Sequence, residues 1–239
     1  MHNNKDQRDI PVNATRFWIL GAGRFGQIAV ERITRHIPHA TLIVVDQKPS
    51  MMDGTDITPI REDGIVWLNR TLVPNASVDL IIPAIPVHVA AAWLKLNLKH
   101  LFHINPLPIQ DSWLTRLPHA MRGAAGQAFV SHADFLCPDN CPEPVNICTH
   151  TGKPRPMDLF RLLACVDVDD VLPIIIRSHQ LLPGVGGIYP ADLLSALDTV
   201  CSNNHRPMMI ATACRCHGVV EFMRLKRRVD PPVTAEPCA

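Results

Sequence analysis

Two short apolar runs, Phe17-Trp18-Ile19-Leu20 and Leu42-Ile43-Val44-Val45, bracket a segment in which Phe25, Ile28, Ala29 and Ile33 recur at helical spacing. The runs suit strands, and the segment between them suits a helix with one face on a sheet. Further along, Gly64-Ile65-Val66-Trp67-Leu68 reads as a third strand and Val78-Asp79-Leu80-Ile81-Ile82-Pro83 as a fourth. The unbroken apolar character of the fourth fits a parallel strand covered on both faces. Pro83-Ala84-Ile85-Pro86 then makes a turn, and the stretch from Val87 to Leu96 opens a helix. Leu101 to Ile104 and Gln127 to His132 read as a fifth and a sixth strand. Proline density between Cys137 and Pro154 forbids helix there. Beyond it the pattern predicts a helix from Asp158 to Ala164, a strand from Val171 to Ser178, and a flexible loop at Pro183 to Gly187. A helix from Ala191 to Cys201 follows, then one long or bent strand from Met208 to Arg224, with any break near Gly218. Alternating strands and helices place the chain in the α/β class.

The junction between the first strand and the first helix carries candidate chemistry. It reads Gly21-Ala22-Gly23-Arg24-Phe25-Gly26, and the second strand ends on Asp46, 20 residues after Gly26. Gly21 allows a tight turn out of the strand, Gly23 lets a pyrophosphate approach the backbone, and Gly26 lets the helix pack closely on the sheet. A helix start offers unpaired N–H groups and partial positive charge to phosphates. An acid at the position of Asp46 can accept hydrogen bonds from ribose hydroxyls. Pro83 and Ala84 lie at the carboxyl end of the fourth strand, near the crevice where ligands bind in such sheets.

On these residues the segment resembles the dinucleotide-binding domains of NAD-dependent dehydrogenases. In the run from Ile19 to Gly26 it is similar to the NAD-binding domain of TrkA-type potassium-uptake regulators. The resemblance is carried by residues 16–46, extends to about residue 135 and stops there. It implies a Rossmann-type parallel sheet and NAD binding at Gly21, Gly23, Gly26 and Asp46, but it fixes no reaction. Arg24, Phe25, Pro83 and Ala84 complete the expected cofactor-binding set. An acid at residue 46 favours NAD over NADP because it repels a 2′-phosphate. The expected organisation is a Rossmann domain over residues 14–135, a smaller cysteine-containing α/β module over 136–229, and tails at 1–13 and 230–239.

The chain has 239 residues, 47% hydrophobic and 19% charged, with a net charge of +1. That permits a sizeable core and gives no electrostatic footprint for nucleic acid. No apolar run approaches the length that spans a bilayer, and the polar start at Met1 to Asn13 lacks the apolar middle of a secretion signal. The expectation is a cytoplasmic, reduced protein, whose cysteines serve as ligands, redox groups or packing rather than as structural disulfides.

All 8 cysteines fall at or after position 137. Cysteines used only as core filler would also appear in the first half. Cys137, Cys141 and Cys148 share the proline-stiffened loop, and Cys214 and Cys216 share one face of the long strand expected there. Three loop thiolates and one strand thiolate make a four-sulfur set, which suits a [4Fe–4S] cluster or zinc. Unpaired loop thiols or a redox pair are the plainer alternative. Cys165 and Cys201 read as core packing, and Cys238 as incidental.

No catalytic residue is legible. His88 follows the fourth strand close to where a nicotinamide could sit, although an exposed histidine at a helix start is the favoured reading. His179 precedes the glycine loop at Pro183 to Gly187, and that loop lacks the lysine of a phosphate loop. The basic run Arg224-Leu225-Lys226-Arg227-Arg228 reads as a solvated end. Three functions follow from these features. One is an NAD-linked oxidoreductase with a cysteine-ligated metal or iron–sulfur site. Another is a non-enzymatic NAD-responsive regulator. The third is a metal- or cluster-handling protein with a structural nucleotide. The expected partner is a small-molecule nucleotide, with no membrane and no nucleic acid. Substrate and assembly into a homo-oligomer are left open.

Overall fold

The computed structural model describes residues 13–48, 55–168 and 170–228. The expected tails lie outside the described residues apart from Asn13, as does Cys238.

A parallel sheet forms first. It is built from β1 (Arg16–Leu20), β2 (Thr41–Asp46), β3 (Ile57–Arg61) and β4 (Leu80–Pro83), in the order β3-β2-β1-β4. Helix α1 (Arg24–His36) links β1 to β2, α2 (Gly64–Thr71) links β3 to β4, and α3 (Val89–Leu98) follows β4. Side chains alternate across β1. Phe17 and Ile19 pack with Ala29 and Ile33 of α1, while Trp18 and Leu20 pack with Trp67 and Leu68 of α2. Trp18 and Trp67 meet edge to face, their ring centroids 4.7 Å apart.

The third strand is not where the hydrophobic pattern places it. Gly64 to Leu68 is the start of α2, because the Asp63 carboxylate accepts hydrogen bonds from the amides of Ile65 and Val66 and so begins a helix. The true third strand, β3, is a sheet edge, which accounts for its half-exposed side chains and for Pro59 within it.

The chain then builds a mixed sheet. Its elements in order are β5 (Phe102–Pro106), α4 (Asp111–Leu114), β6 (Met121–Arg122), β7 (Gln127–Ser131), α5 (Leu159–Cys165), β8 (Leu172–Arg177), β9 (His179–Leu182), β10 (Val185–Gly187), α6 (Pro190–Ser202), β11 (Met208–Ala213) and β12 (His217–Arg227). The sheet order is β6-β7-β12-β11-β8, and β5 also pairs with β12. Strands β11 and β8 are parallel, and the other pairs in this sheet are antiparallel. β12 carries β11 along one edge, with β7 and β5 end to end along the other. Strands β5, β6 and β7 therefore belong with the carboxyl-terminal strands, so the change of sheet comes after β4 and not near residue 135.

The segment expected as one strand from Met208 to Arg224 is a hairpin, in which Cys214 to Cys216 form the turn between β11 and β12. The expected flexible loop at Pro183 to Gly187 is also a hairpin, β9–β10. It leans on the parallel sheet through the bridge of Ile188 to Ile81, and it buries Val185 beside Phe17 and Ile19. One large core, holding Trp18, Ile81, Trp93, Ile174 and Met223, joins the two sheets.

Candidate functional site

The glycine turn has the shape its residues suggest. Gly21 sits at φ +107°, and a Cβ there would come within 2.7 Å of the Ala84 carbonyl oxygen. A Cβ on Gly26 would lie 1.9 Å from the Gly21 carbonyl oxygen, so α1 starts in direct contact with the turn. Gly23 faces open space. No side chain caps α1, and its first turn holds no acid. Ala84 joins the turn by donating its amide to the Leu20 carbonyl at 2.8 Å, and Pro83 pairs with Leu20 in the sheet.

Asp46 reaches this turn from the end of β2. Its carboxylate accepts the Ala22 amide at 2.8 Å and the Lys48 amide at 2.7 Å. These two bonds hold its pKa below the usual carboxylate range. Phe25 is 57% exposed and turns away from the core, so the buried stripe of α1 is Gly26, Ala29 and Ile33.

The cysteine loop docks on the same helix. Arg24 pairs with Asp139, which lies between Cys137 and Cys141. Arg32 donates to the Asp139 carbonyl at 2.8 Å and also to the Pro183 carbonyl. The Cys141 carbonyl accepts from the Gln180 side chain at 2.7 Å and from the Gly184 amide at 3.2 Å. Helix α1 and the β9–β10 hairpin thus fix the loop against the glycine turn.

The sulfurs have distinct surroundings. Cys141 Sγ accepts the Glu143 amide at 3.4 Å. Cys148 has its pKa lowered by the Thr151 hydroxyl and amide. Cys214 Sγ accepts the amides of Cys216 and His217, each at 3.4 Å, which closes the β11–β12 turn. Burial and the neighbouring Glu143 carboxylate push the Cys214 thiol far up. Cys216 Sγ accepts from Nε and Nη2 of Arg155 at 3.2 and 3.0 Å. Burial raises the Cys216 thiol, and Arg155 opposes that rise. Burial, then the charges of Cys141, Cys216 and Cys148, raise the Cys137 thiol. Among the described residues, no three histidine, cysteine or acidic side chains stand in an array that would hold a single ion. Cys165 and Cys201 are exposed, against their expected place in the core.

A cleft of about 1120 Å³ opens beside the cysteine loop. Phe25 stands on one wall and Cys137, Cys141, Cys214 and Cys216 on the other. Exposed Met121, Phe129 and Leu136 make part of its rim apolar. Cys148 is not among its walls.

His88 does not line the cleft. It is buried between α3 and the mixed sheet, with Nε2 3.0 Å from the Thr212 hydroxyl and Nδ1 3.6 Å from Glu221, which also pairs with Lys95. His179 is buried against the Tyr189 ring. Arg155 and Glu143, which contact the sulfurs, escaped sequence reading. Arg155 meets the Cys216 sulfur 61 residues away, and the Glu143 carboxylate accepts the Arg215 amide 72 residues away, so no local pattern marks either side chain.

Comparison with known proteins places this geometry in context. A family model described as an uncharacterized protein, C-terminal domain, matches residues 90–226, which takes in every sulfur around the cleft. An uncharacterized protein of Archaeoglobus fulgidus is 26% identical over 224 residues, covering 86% of this chain and 98% of its own. No solved structure matches the chain.

Proposed function

We propose that this chain, which belongs to the AF_1314_C family, is an NAD-linked oxidoreductase that sets a dinucleotide beside a cysteine-ligated metal or iron–sulfur site. The observation that carries the reading is the docking of the Cys137–Cys141 loop on α1, the helix that leaves the glycine turn. Arg24 and Arg32 of that helix hold Asp139 of the loop, and Phe25 beside Arg24 lines the cleft that four of the cysteines also line.

The residues fit the groups they would hold. Open space at Gly23 and the uncapped start of α1 suit a pyrophosphate. Lone pairs of Asp46 not used by Ala22 and Lys48 suit ribose hydroxyls. The order β3-β2-β1-β4 reverses between β1 and β4, and the crevice at such a reversal is where ligands bind in open α/β sheets. Pro83, Ala84 and Phe25 border that crevice. NAD supplies two-electron hydride chemistry when bound, and the protein's share is position and electrostatics. The Arg155 hydrogen bonds at Cys216 and the Thr151 bonds at Cys148 favour the charged sulfur that a metal needs. Among the described residues no helix is long and apolar enough to cross a membrane. A cytoplasmic setting, which keeps thiols reduced, belongs to the same proposal.

Anaerobic purification followed by NADH titration tests it. The expected result is bound iron or zinc and saturable nucleotide binding, with absorption near 400 nm that NADH bleaches if the metal is a cluster. Protein that binds no nucleotide under these conditions would overturn the reading.

The Arg24–Asp139 pair favours a second reading, an NAD-responsive regulator. A pyrophosphate at α1 competes with Asp139 for Arg24, so nucleotide binding would shift the cysteine loop. Tight NAD binding with no turnover across varied acceptors would select this alternative.

A further inference from the structure

We propose that the cleft beside the cysteine loop binds an organic cation with an aromatic body, and that molecules of this class are what the protein acts on. As a statement about substrate the inference rests on the proposed function. The binding itself requires neither nucleotide nor metal.

The apolar half of the argument is the company the cleft keeps. Large side chains left in water and gathered around one hollow mark a ligand site. Among the described residues the exposed phenylalanines are Phe25 and Phe129, and both line this cleft. Met121 joins them, as does Leu136, which is 97% exposed. These side chains come from separate parts of the chain. Phe25 belongs to α1, Met121 and Phe129 stand opposite each other in the β6–β7 pair, and Leu136 follows β7. Directly opposed residues of paired strands share a face, so Met121 and Phe129 form one apolar plate. Phe135 adds a ring that is fixed by stacking on His150, with centroids 4.3 Å apart. A hollow of about 1120 Å³ has room for a molecule of more than one ring.

Charge narrows the class. The walls carry the carboxylates of Asp134, Asp139 and Glu143, and among the described residues no lysine or arginine lines the cleft. Arg24, which is not on the wall, offsets Asp139. Glu143 is held in place by the Arg215 amide, and Asp134 is exposed. A phosphorylated or carboxylated molecule entering here meets like charge. An ammonium group meets carboxylates and the faces of rings, both of which attract cations. Shape and charge therefore select the same occupant.

Equilibrium dialysis of the full chain at about pH 8, where an ordinary imidazole is neutral, tests the inference with three probes built on one ring system. They are naphthylmethylammonium, naphthalenemethanol and naphthoate. The cation is expected to bind at least about tenfold more tightly than the anion, with the alcohol between them, and added salt is expected to narrow the gap. Phe129→Ala and Leu136→Ala each remove an exposed side chain and should weaken all three probes by about three- to tenfold. Asp134→Asn should leave the alcohol unchanged and reduce the preference for the cation by about two- to threefold. Val73→Ala, at an exposed apolar position away from the cleft, should change nothing. Equal affinity for cation and anion overturns the charge selection. Absence of saturable binding, or equal losses in Val73→Ala, overturns the site. NAD and metal binding measured on the same protein keep the two readings apart. Protein that holds NAD and metal but none of the probes rejects this inference alone. Protein that holds the cation but no NAD rejects the proposed function, and with it the claim about substrate, while the cation site stands.

Discussion

The Asp46 carboxylate already serves the protein before any nucleotide arrives, holding the Ala22 amide inside the glycine turn. Asp46→Ala therefore loosens the turn and removes the proposed ribose acceptor together. Hydrogen bonds to charged groups contribute about 1.5–3 kcal/mol, so NAD affinity should fall by roughly ten- to hundredfold in titration calorimetry. Unchanged affinity would reject the ribose assignment. The depressed pKa of Asp46 also sets a pH window. A lowered carboxylate contributes stability above its unfolded value, and that contribution is lost as pH falls below about 4. At this scale the sequence was informative about residue type and uninformative about partners. Gly21 and Gly26 announce their backbone roles in the turn by identity and spacing. Arg155 and Glu143 act through contacts made only after folding, and nothing adjacent to them in the chain signals it.

Among elements, legibility followed length. Strands β1, β2 and β4 and helices α1, α3 and α6 stood close to where the hydrophobic pattern put them. The five-residue run at Gly64 was too short for periodicity to separate strand from helix, and the Asp63 cap decided it. The β11–β12 hairpin was missed because its turn holds cysteines rather than the usual asparagine and glycine, and sulfur accepts the amides instead. The Cys137–Cys141 loop is held by contacts that can be removed singly. Asp139→Ala frees Arg24 for phosphate. An exposed pair is worth up to about 1 kcal/mol, so NAD affinity should rise by up to roughly fivefold. Weaker binding would show that the pair supports the nucleotide site instead. Gly184→Ala should cost about 2–4 kcal/mol in chemical denaturation. Gly184 has φ +69°, and a Cβ there would lie 1.7 Å from the Asp139 carbonyl oxygen. A stability within error of wild type would mean that the hairpin and the loop part easily.

At the scale of the whole molecule, the α/β class was legible and the division between sheets was not. A boundary near residue 135 follows composition, because cysteines begin there. The chain is instead divided by pairing, and β5 to β7 find their partners in β12. The interior also holds His88, which pattern reading put at the surface. Burial lowers the pKa of His88 and, to the extent that it is half-buried, of His132. A histidine held below its ordinary value of about 6.5 binds fewer protons folded than unfolded, so stability falls as pH drops below that value. Denaturation midpoints should therefore decline between about pH 7.5 and 5.5, and a flat profile would contradict the burial of these rings. Around His88, the Glu221 carboxylate favours the charged ring and Lys95 opposes it, but burial outweighs both. The place of β12 as the shared spine of the mixed sheet bears on how the protein is made. On the ribosome, β5 and β7 emerge long before the strand that unites them, and each waits with an unsatisfied backbone edge. The nascent chain must keep those edges from foreign strands until Arg227 has been added, so chaperone demand during synthesis should centre on this half of the protein.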